Sequence, residues 1–387
     1  MTSPVGAGRK GIALTDKQRI AWLRLIRSDN VGPATFRELI NHFGSAERAL
    51  EHLPELSRRG GASRAIRIAT VEEAEAELEA AQDFRARFVG IGEPDYPPAL
   101  RTIDGAPPLI AMKGNPAAAI RPMLGVVGSR NASIAGCKFT AQLSIEAGRA
   151  GYVIASGLAR GIDSAAHRAG LATGTIAALA GGLDRPYPPE NIPLLNEIWS
   201  GEGLAISEMP FGWEPRARDF PRRNRLIAGL SLGVLVVEAA LRSGSLITAR
   251  LAGDFGRLVF AVPGSPLDPR CQGTNGLLKQ GAILVTEAAD ILDALAPQRQ
   301  TDLFSATPLR EPPHETTRPL TPPPEDDERG RILSSLGAAP VDVDDIIRHT
   351  GIAAPVVYLV LLELDMAGRL YRHPGGLVSL VLGEAAL

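Results

Sequence analysis

The stretch Phe220 to Ala249, FPRRNRLIAGLSLGVLVVEAALRSGSLITA, concentrates residue types suited to holding phosphate. Arg222, Arg223, Asn224 and Arg225 gather against an expected turn, ahead of the all-apolar strand Gly233 to Val237. A strand without a polar side is buried on both faces, as in a parallel sheet under helices. After Glu238, Arg242-Ser243-Gly244-Ser245 opens an apolar helical run. Amides at a helix start, small residues that allow close approach and guanidinium forks together suit a phosphate group. Two further loops repeat the pattern, Gly128-Ser129-Arg130 and the loop that carries Arg160. Arg130, Arg160 and Arg242 each sit beside Gly or Ser near a strand end. The chemistry expected of them is polyanion binding at the carboxyl edge of a sheet; the alternative is a solvated, salt-bridged face.

Catalytic chemistry finds less support. His167 follows Asp163 by four residues, which puts both on one helix face where the carboxylate reaches the imidazole. That spacing allows an acid/base pair, or a hydrogen bond that anchors the helix; no nucleophile accompanies it. Asp184 and Glu208 end strands and read either as a carboxylate pair or as turn caps. No GxGxxG follows the first core strand, no GxxxxGK[ST] is present, and no GxSxG elbow occurs. Cys137 and Cys271 form no CxxC pair and have no zinc spacing. No catalytic residue, cofactor or metal is therefore expected.

The elements that would position these loops alternate between strand and helix. Strands MLGVVG, YVIASG, TIAALA, LAIS, VLVVE, RLVFAVPG and AILVT are separated by helices such as Ile134 to Ala150 and Ile192 to Ser200. Such alternation predicts βαβ units and an α/β fold, an extended Rossmann-like and mostly parallel sheet over residues 106–296. Residues 1–105 are expected to form an all-helical domain. In it, helix Asp16 to Arg27, the turn Val31-Gly32-Pro33 and the helix ELINHFGSAERAL resemble a helix-hairpin-helix, and a charged helix spans Val71 to Phe88. Residues 297–328 are rich in proline and close on Glu325-Asp326-Asp327-Glu328, a composition that predicts a disordered linker. Residues 329–387 read as three helices and a hairpin, a winged helix. Its third helix, APVVYLVLLELDMAG, has no Lys or Arg, which favours protein contact or packing over groove reading.

The length of 387 residues suits two or three domains. The formal charge of −2 hides an excess of positive charge in residues 110–296 and of negative charge in 297–387. The amino terminus lacks a signal-peptide core, and no apolar run approaches the ~18 residues of a membrane span. A reduced, soluble, cytoplasmic protein without membrane contact is expected.

Longer strings strengthen the polyanion reading. Val127-Gly128-Ser129-Arg130, Ser156-Gly157-Leu158-Ala159-Arg160-Gly161-Ile162-Asp163 with Ala166-His167, Tyr187-Pro188 with Asn191, Ile206-Ser207-Glu208, Phe220 to Ser231, Arg242 to Ala249 and Val262-Pro263-Gly264 cover most of residues 95–290. In this order the chain resembles the DNA-processing protein DprA (Smf) family. The resemblance implies a non-enzymatic protein that binds and protects incoming single-stranded DNA and helps load the RecA recombinase during natural transformation. It further implies a homodimer through the Rossmann-like core, with a basic pocket for the DNA backbone. Carried over by position, the pocket would use Gly128, Ser129, Arg130, the arginines and Asn224 of FPRRNR, Ser243, Gly244 and Ser245, with Lys279 in addition. Where family members often have a basic residue after the Tyr-Pro pair, this chain has Pro189-Glu190. Aromatic residues suited to stacking on bases are Tyr187, Phe211, Trp213 and Phe220.

The competing expectation is a nucleoside-monophosphate phosphoribohydrolase-like enzyme on a related sheet, but its PGGxGTxxE string is absent. A second partner is suggested by Gln300-Thr301-Asp302-Leu303-Phe304, which resembles the pentapeptide that docks on the replication sliding clamp.

Overall fold

In a nine-stranded sheet the short apolar runs find the burial their composition requires. A computed structural model describes residues 13–300, 322 and 324–381. The strands are β1 (Arg87–Gly90), β2 (Leu109–Gly114), β3 (Met123–Gly128), β4 (Val153–Ser156), β5 (Thr175–Ala178), β6 (Leu204–Ser207), β7 (Gly233–Val237), β8 (Leu258–Ala261) and β9 (Ile283–Leu284). Their order is β1-β2-β6-β5-β4-β3-β7-β8-β9. All neighbours from β6 to β9 run parallel, whereas β1–β2 and β2–β6 are antiparallel. Leu124, Val126, Ile154, Leu235 and Phe260 form the centre of the core with no exposed surface. From β3 the chain builds outward through β4, β5 and β6, then returns to place β7 on the other side of β3. The crevice where strand order reverses thus lies between the loops after β3 and β7, where ligands of open α/β sheets bind.

The sheet begins earlier than expected. Residues 87–90 are not helical; they form the edge strand β1, paired with β2, so the expected helical domain of residues 1–105 ends before it. The preceding helix is Val71–Asp83 rather than a helix to Phe88. At the other end, helix Ala288–Gln300 runs into the expected linker and helix Asp326–Ser334 starts inside it. Of the clamp-like pentapeptide, Thr301 to Phe304 lies outside the described residues.

A second correction concerns Phe220 to Arg225, which belong to helix Asp219–Leu230 rather than to a turn. Pro221 is tolerated there because the first turn of a helix has no internal partner for its missing N–H. One residue turns the helix by about 100°, so Arg222 and Arg225 share a face that Arg223 does not.

The remaining residues form a second compact unit from both ends of the chain. Helices Asp16–Arg27, Pro33–Phe43 and Ala46–Arg59 come from the amino-terminal part. ELINHFGSAERAL is not one helix: Gly44 takes a left-handed φ of 82° and Ser45 caps the next helix by accepting from Arg48 N. The winged helix supplies helices Asp326–Ser334, Val343–Thr350 and Ala354–Met366 and the strands β10 (Val341–Asp342), β11 (Leu370–Arg372) and β12 (Leu377–Leu380), ordered β10-β12-β11.

Candidate nucleic-acid interface

Glycine makes the crevice between β3 and β7 possible. At Gly128 a Cβ would lie 1.9 Å from the Val237 carbonyl oxygen, so only glycine lets the two strand ends close up beneath the loops. Above them opens a cavity of about 810 Å³ lined by Gly128, Ser129, Arg130 and Asn131 from the β3 loop. Ser243, Gly244 and Ser245 line its opposite side at the start of helix Gly244–Asp254, whose N-cap Ser243 accepts from Ser245 N. Tyr187, Phe220, Arg223, Asn224 and Arg242 complete the wall. A recess of about 90 Å³ shares Arg130, Tyr187, Phe220 and Arg223 and adds Gly157, Arg160 and Glu190.

Arg223 forms the floor and is only 6% exposed. Its Nη1 donates to the carbonyls of Gly157 and, at 2.7 Å, Ala178, and its Nε donates to Asn224 Oδ1. A Cβ on Gly157 would meet the guanidinium at 2.3 Å, so a glycine there is what admits it. Burial lowers the Arg223 pKa to about 10 and nearby Arg130 adds to the effect, opposed by the negative charge of Asp163. The group therefore remains cationic at neutral pH. Burial raises the Asp163 pKa, and Arg223 together with the amides of Gly157 and Ala159 offsets this.

Asp163 and His167 do not form the expected couple. Asp163 accepts from the Gly157 and Ala159 amides. His167 Nε2 accepts from Leu158 N at 3.3 Å, and its Nδ1 lies 2.7 Å from the Thr175 hydroxyl, which donates to Ile154 O. With the hydroxyl proton so engaged, Nδ1 is the protonated ring nitrogen and the imidazole is neutral. Both side chains hold the β4 loop, including Leu158 at its positive φ of 60°. Burial and then Arg223 lower the His167 pKa from 6.5 to about 3. The folded state thus binds fewer protons, and this contribution to stability, full above pH 6.5, is lost as pH falls toward 3. Relative to His167→Asn, the protein should lose about 2 kcal/mol between pH 6.5 and 5, read by urea denaturation at each pH. The opposing shift of Asp163 is common to both proteins and cancels.

The other expected site residues divide by location. Arg130 and Arg242 are exposed at the cavity and have no carboxylate partner among the described residues; Arg130 lies 5.6 Å from the Phe220 ring centroid. Arg160 is exposed on the recess, 3.9 Å from Glu190. Arg222 and Arg225 turn away from the cavity. Both bind the buried Glu208, Arg222 at 3.1 Å, and Arg225 also donates to Gly105 O. The convergence expected of Arg225 is corrected by the helix, which carries it to the opposite side from Arg223. Lys279, at the end of helix Gln272–Lys279, is exposed but does not line the cavity.

Glu208 is consumed by these ion pairs, and Asp184 holds a turn by accepting from Gly212 N, so they do not act as a carboxylate pair. Of the aromatic residues, Tyr187 and Phe220 line the cavity and pack edge to face at 5.7 Å. Trp213 donates to Asp219, and Phe211 packs on Phe84 and Phe88. Sequence reasoning passed over Arg216 and Arg218, exposed beside the cavity residues Pro215 and Ala217. Their signal was cation density just ahead of FPRRNR.

Three family models match the chain. DNA recombination-mediator protein A covers residues 87–296, the DprA-like N-terminal HHH domain covers 16–80, and the DprA winged helix domain covers 316–376. Protein Smf of Synechocystis sp. is 33% identical over 94% of this chain and 98% of its own length. The DNA processing protein DprA of Streptococcus pneumoniae is 46% identical over 51% of this chain and 70% of that protein. Its crystal structure aligns with a TM-score of 0.59 at 35% identity, over 73% of this chain and 98% of that one. A structure of DNA processing protein A from Helicobacter pylori, concerned with its single-stranded DNA binding mode, aligns with a TM-score of 0.50 at 28% identity, over 55% of this chain and 96% of that one. Among the described residues no helix is long and apolar enough to cross a membrane.

Proposed function

The chain belongs to the DprA (Smf) family of DNA recombination-mediator proteins, and from that premise we propose that it binds single-stranded DNA in the crevice between β3 and β7. The observation that carries this is the meeting, in one cavity, of exposed Arg130 and Arg242, buried Arg223 and the amino-terminal end of helix Gly244–Asp254. A string of phosphates satisfies guanidinium forks and helix amides at once. Tyr187, half exposed, and Phe220 offer ring faces and edges to unstacked bases.

No catalytic step is part of the proposal. Asp163 and His167, the groups best suited to move a proton, hold backbone amides instead. Family membership extends the proposal to a cytoplasmic homodimer, joined through the sheet domain, that protects the strand and hands it to RecA.

Electrophoretic shift assays with matched single- and double-stranded oligonucleotides test the proposal. The expected result is tighter binding of the single strand and no release of free base from nucleoside monophosphates. Equal affinity for both DNA forms would overturn the single-strand assignment, and base release would establish the phosphoribohydrolase alternative.

A further inference from the structure

The face of the winged helix that would enter a duplex groove is already occupied. Its third helix, Ala354–Met366, buries Glu363 completely against Arg329 and within 3.9 Å of Arg59 of the amino-terminal helices. At Gly60 a Cβ would lie 1.9 Å from the Glu363 carbonyl oxygen, so the chain approaches there as closely as glycine permits. Arg372 grips Glu38 with both terminal nitrogens, at 2.8 and 2.6 Å, and Asp365 with Nε at 2.8 Å. Asn30 donates to Met366 O, Thr35 to Asp365 and Arg369 to Gly60 O.

We infer that the third helix of the winged helix is a docking surface for this chain's own amino-terminal helical module, a clasp that holds the two chain ends together and closes that helix to duplex DNA. Three features support this occupant. Arg372 spends Nε and both terminal nitrogens on Asp365 and Glu38, so the winged helix's fork nearest that helix is already engaged by carboxylates and is not offered to a phosphate. The helix has no Lys or Arg to offer a polyanion, and its carboxylates Glu363 and Asp365 already hold arginines in place. The buried Glu363 is stable only while its arginine partners stay in place, because a lone buried carboxylate is strongly unfavourable. The clasp is therefore expected to hold without the covalent connection through residues 301–325.

The test uses the full chain with a specific protease site introduced within residues 305–316, cut after folding and passed through a sizing column at low micromolar concentration. The wild-type fragments are expected to elute together, and to remain together when a duplex oligonucleotide is added. Fragments that separate in buffer would overturn the inference, and release of the carboxyl-terminal fragment by duplex would show that the helix reads DNA. Gly60→Phe provides the second arm. The φ of Gly60 is −69°, which any residue adopts, so the amino-terminal helices should fold while the clasp is wedged open. In this variant the cut fragments should separate; continued co-elution would show that the Gly60–Glu363 contact does not hold them.

Discussion

Arg223→Ala is expected to destabilise the sheet domain by about 3–5 kcal/mol, the combined cost of leaving two buried carbonyls without a donor and a buried carboxylate without an offsetting cation. Its guanidinium serves the carbonyls of Gly157 and Ala178 and faces the buried Asp163. Truncation leaves those acceptors without their donor and removes the positive charge that favours ionised Asp163, and protonation of Asp163 relieves only part of the deficit. Lysine is a poor replacement, since a single ammonium does not reproduce the planar fork. Arg130→Ala, at an exposed position, should change stability by no more than about 0.5 kcal/mol. Urea denaturation with far-UV circular dichroism compares the two. Equal midpoints would mean that Arg223 does not anchor the cavity floor.

Arg223 also shows where sequence reading stops. Alternation of apolar runs with helical patterns foretold the parallel sheet because burial on both faces leaves a mark on every residue of a strand. The loops at its carboxyl edge followed from the same pattern, and they do meet at the crevice. The directions of the arginines did not follow. Taken as a turn, FPRRNR lets all its cations reach one site; as a helix it sends Arg223 inward and gives Arg222 and Arg225 to Glu208. Pro221 and the dense charge masked that helix, whose buried residues Leu226, Ile227 and Leu230 come late. Strand β1 was hidden for another reason: RFVG is too short after a charged helix to show a period. The break at Gly44-Ser45, by contrast, was visible in principle, as a left-handed glycine followed by a capping serine. Nothing local to Gly60 or Glu363 announces their contact, because the pairing joins residues from opposite ends of the chain.

The cavity makes a prediction that depends on charge count rather than on fold. Arg130, Arg160 and Arg242 are the exposed arginines of the cavity and its recess; Arg130 and Arg242 have no carboxylate partner among the described residues, and Arg160 has only a solvent-exposed 3.9 Å pair with Glu190 to exchange for a phosphate. If each neutralises one phosphate, replacing all three by alanine lowers the slope of log affinity against log salt by ~2, from the single-strand value of ~0.7 per contact. Because these side chains are exposed, the triple variant should stay folded, unlike Arg223→Ala. Sequence preference should change little, since phosphate contacts position a strand and do not read its bases.

The most direct measurement is fluorescence anisotropy of a labelled single-stranded oligonucleotide, titrated between 50 and 200 mM salt with the wild type, the triple variant and Arg149→Ala as a helix-surface control. Over that range the wild type should lose roughly twentyfold more affinity than the triple variant, and Arg149→Ala should follow the wild type. A folded triple variant with the wild-type slope would contradict phosphate binding in the crevice between β3 and β7.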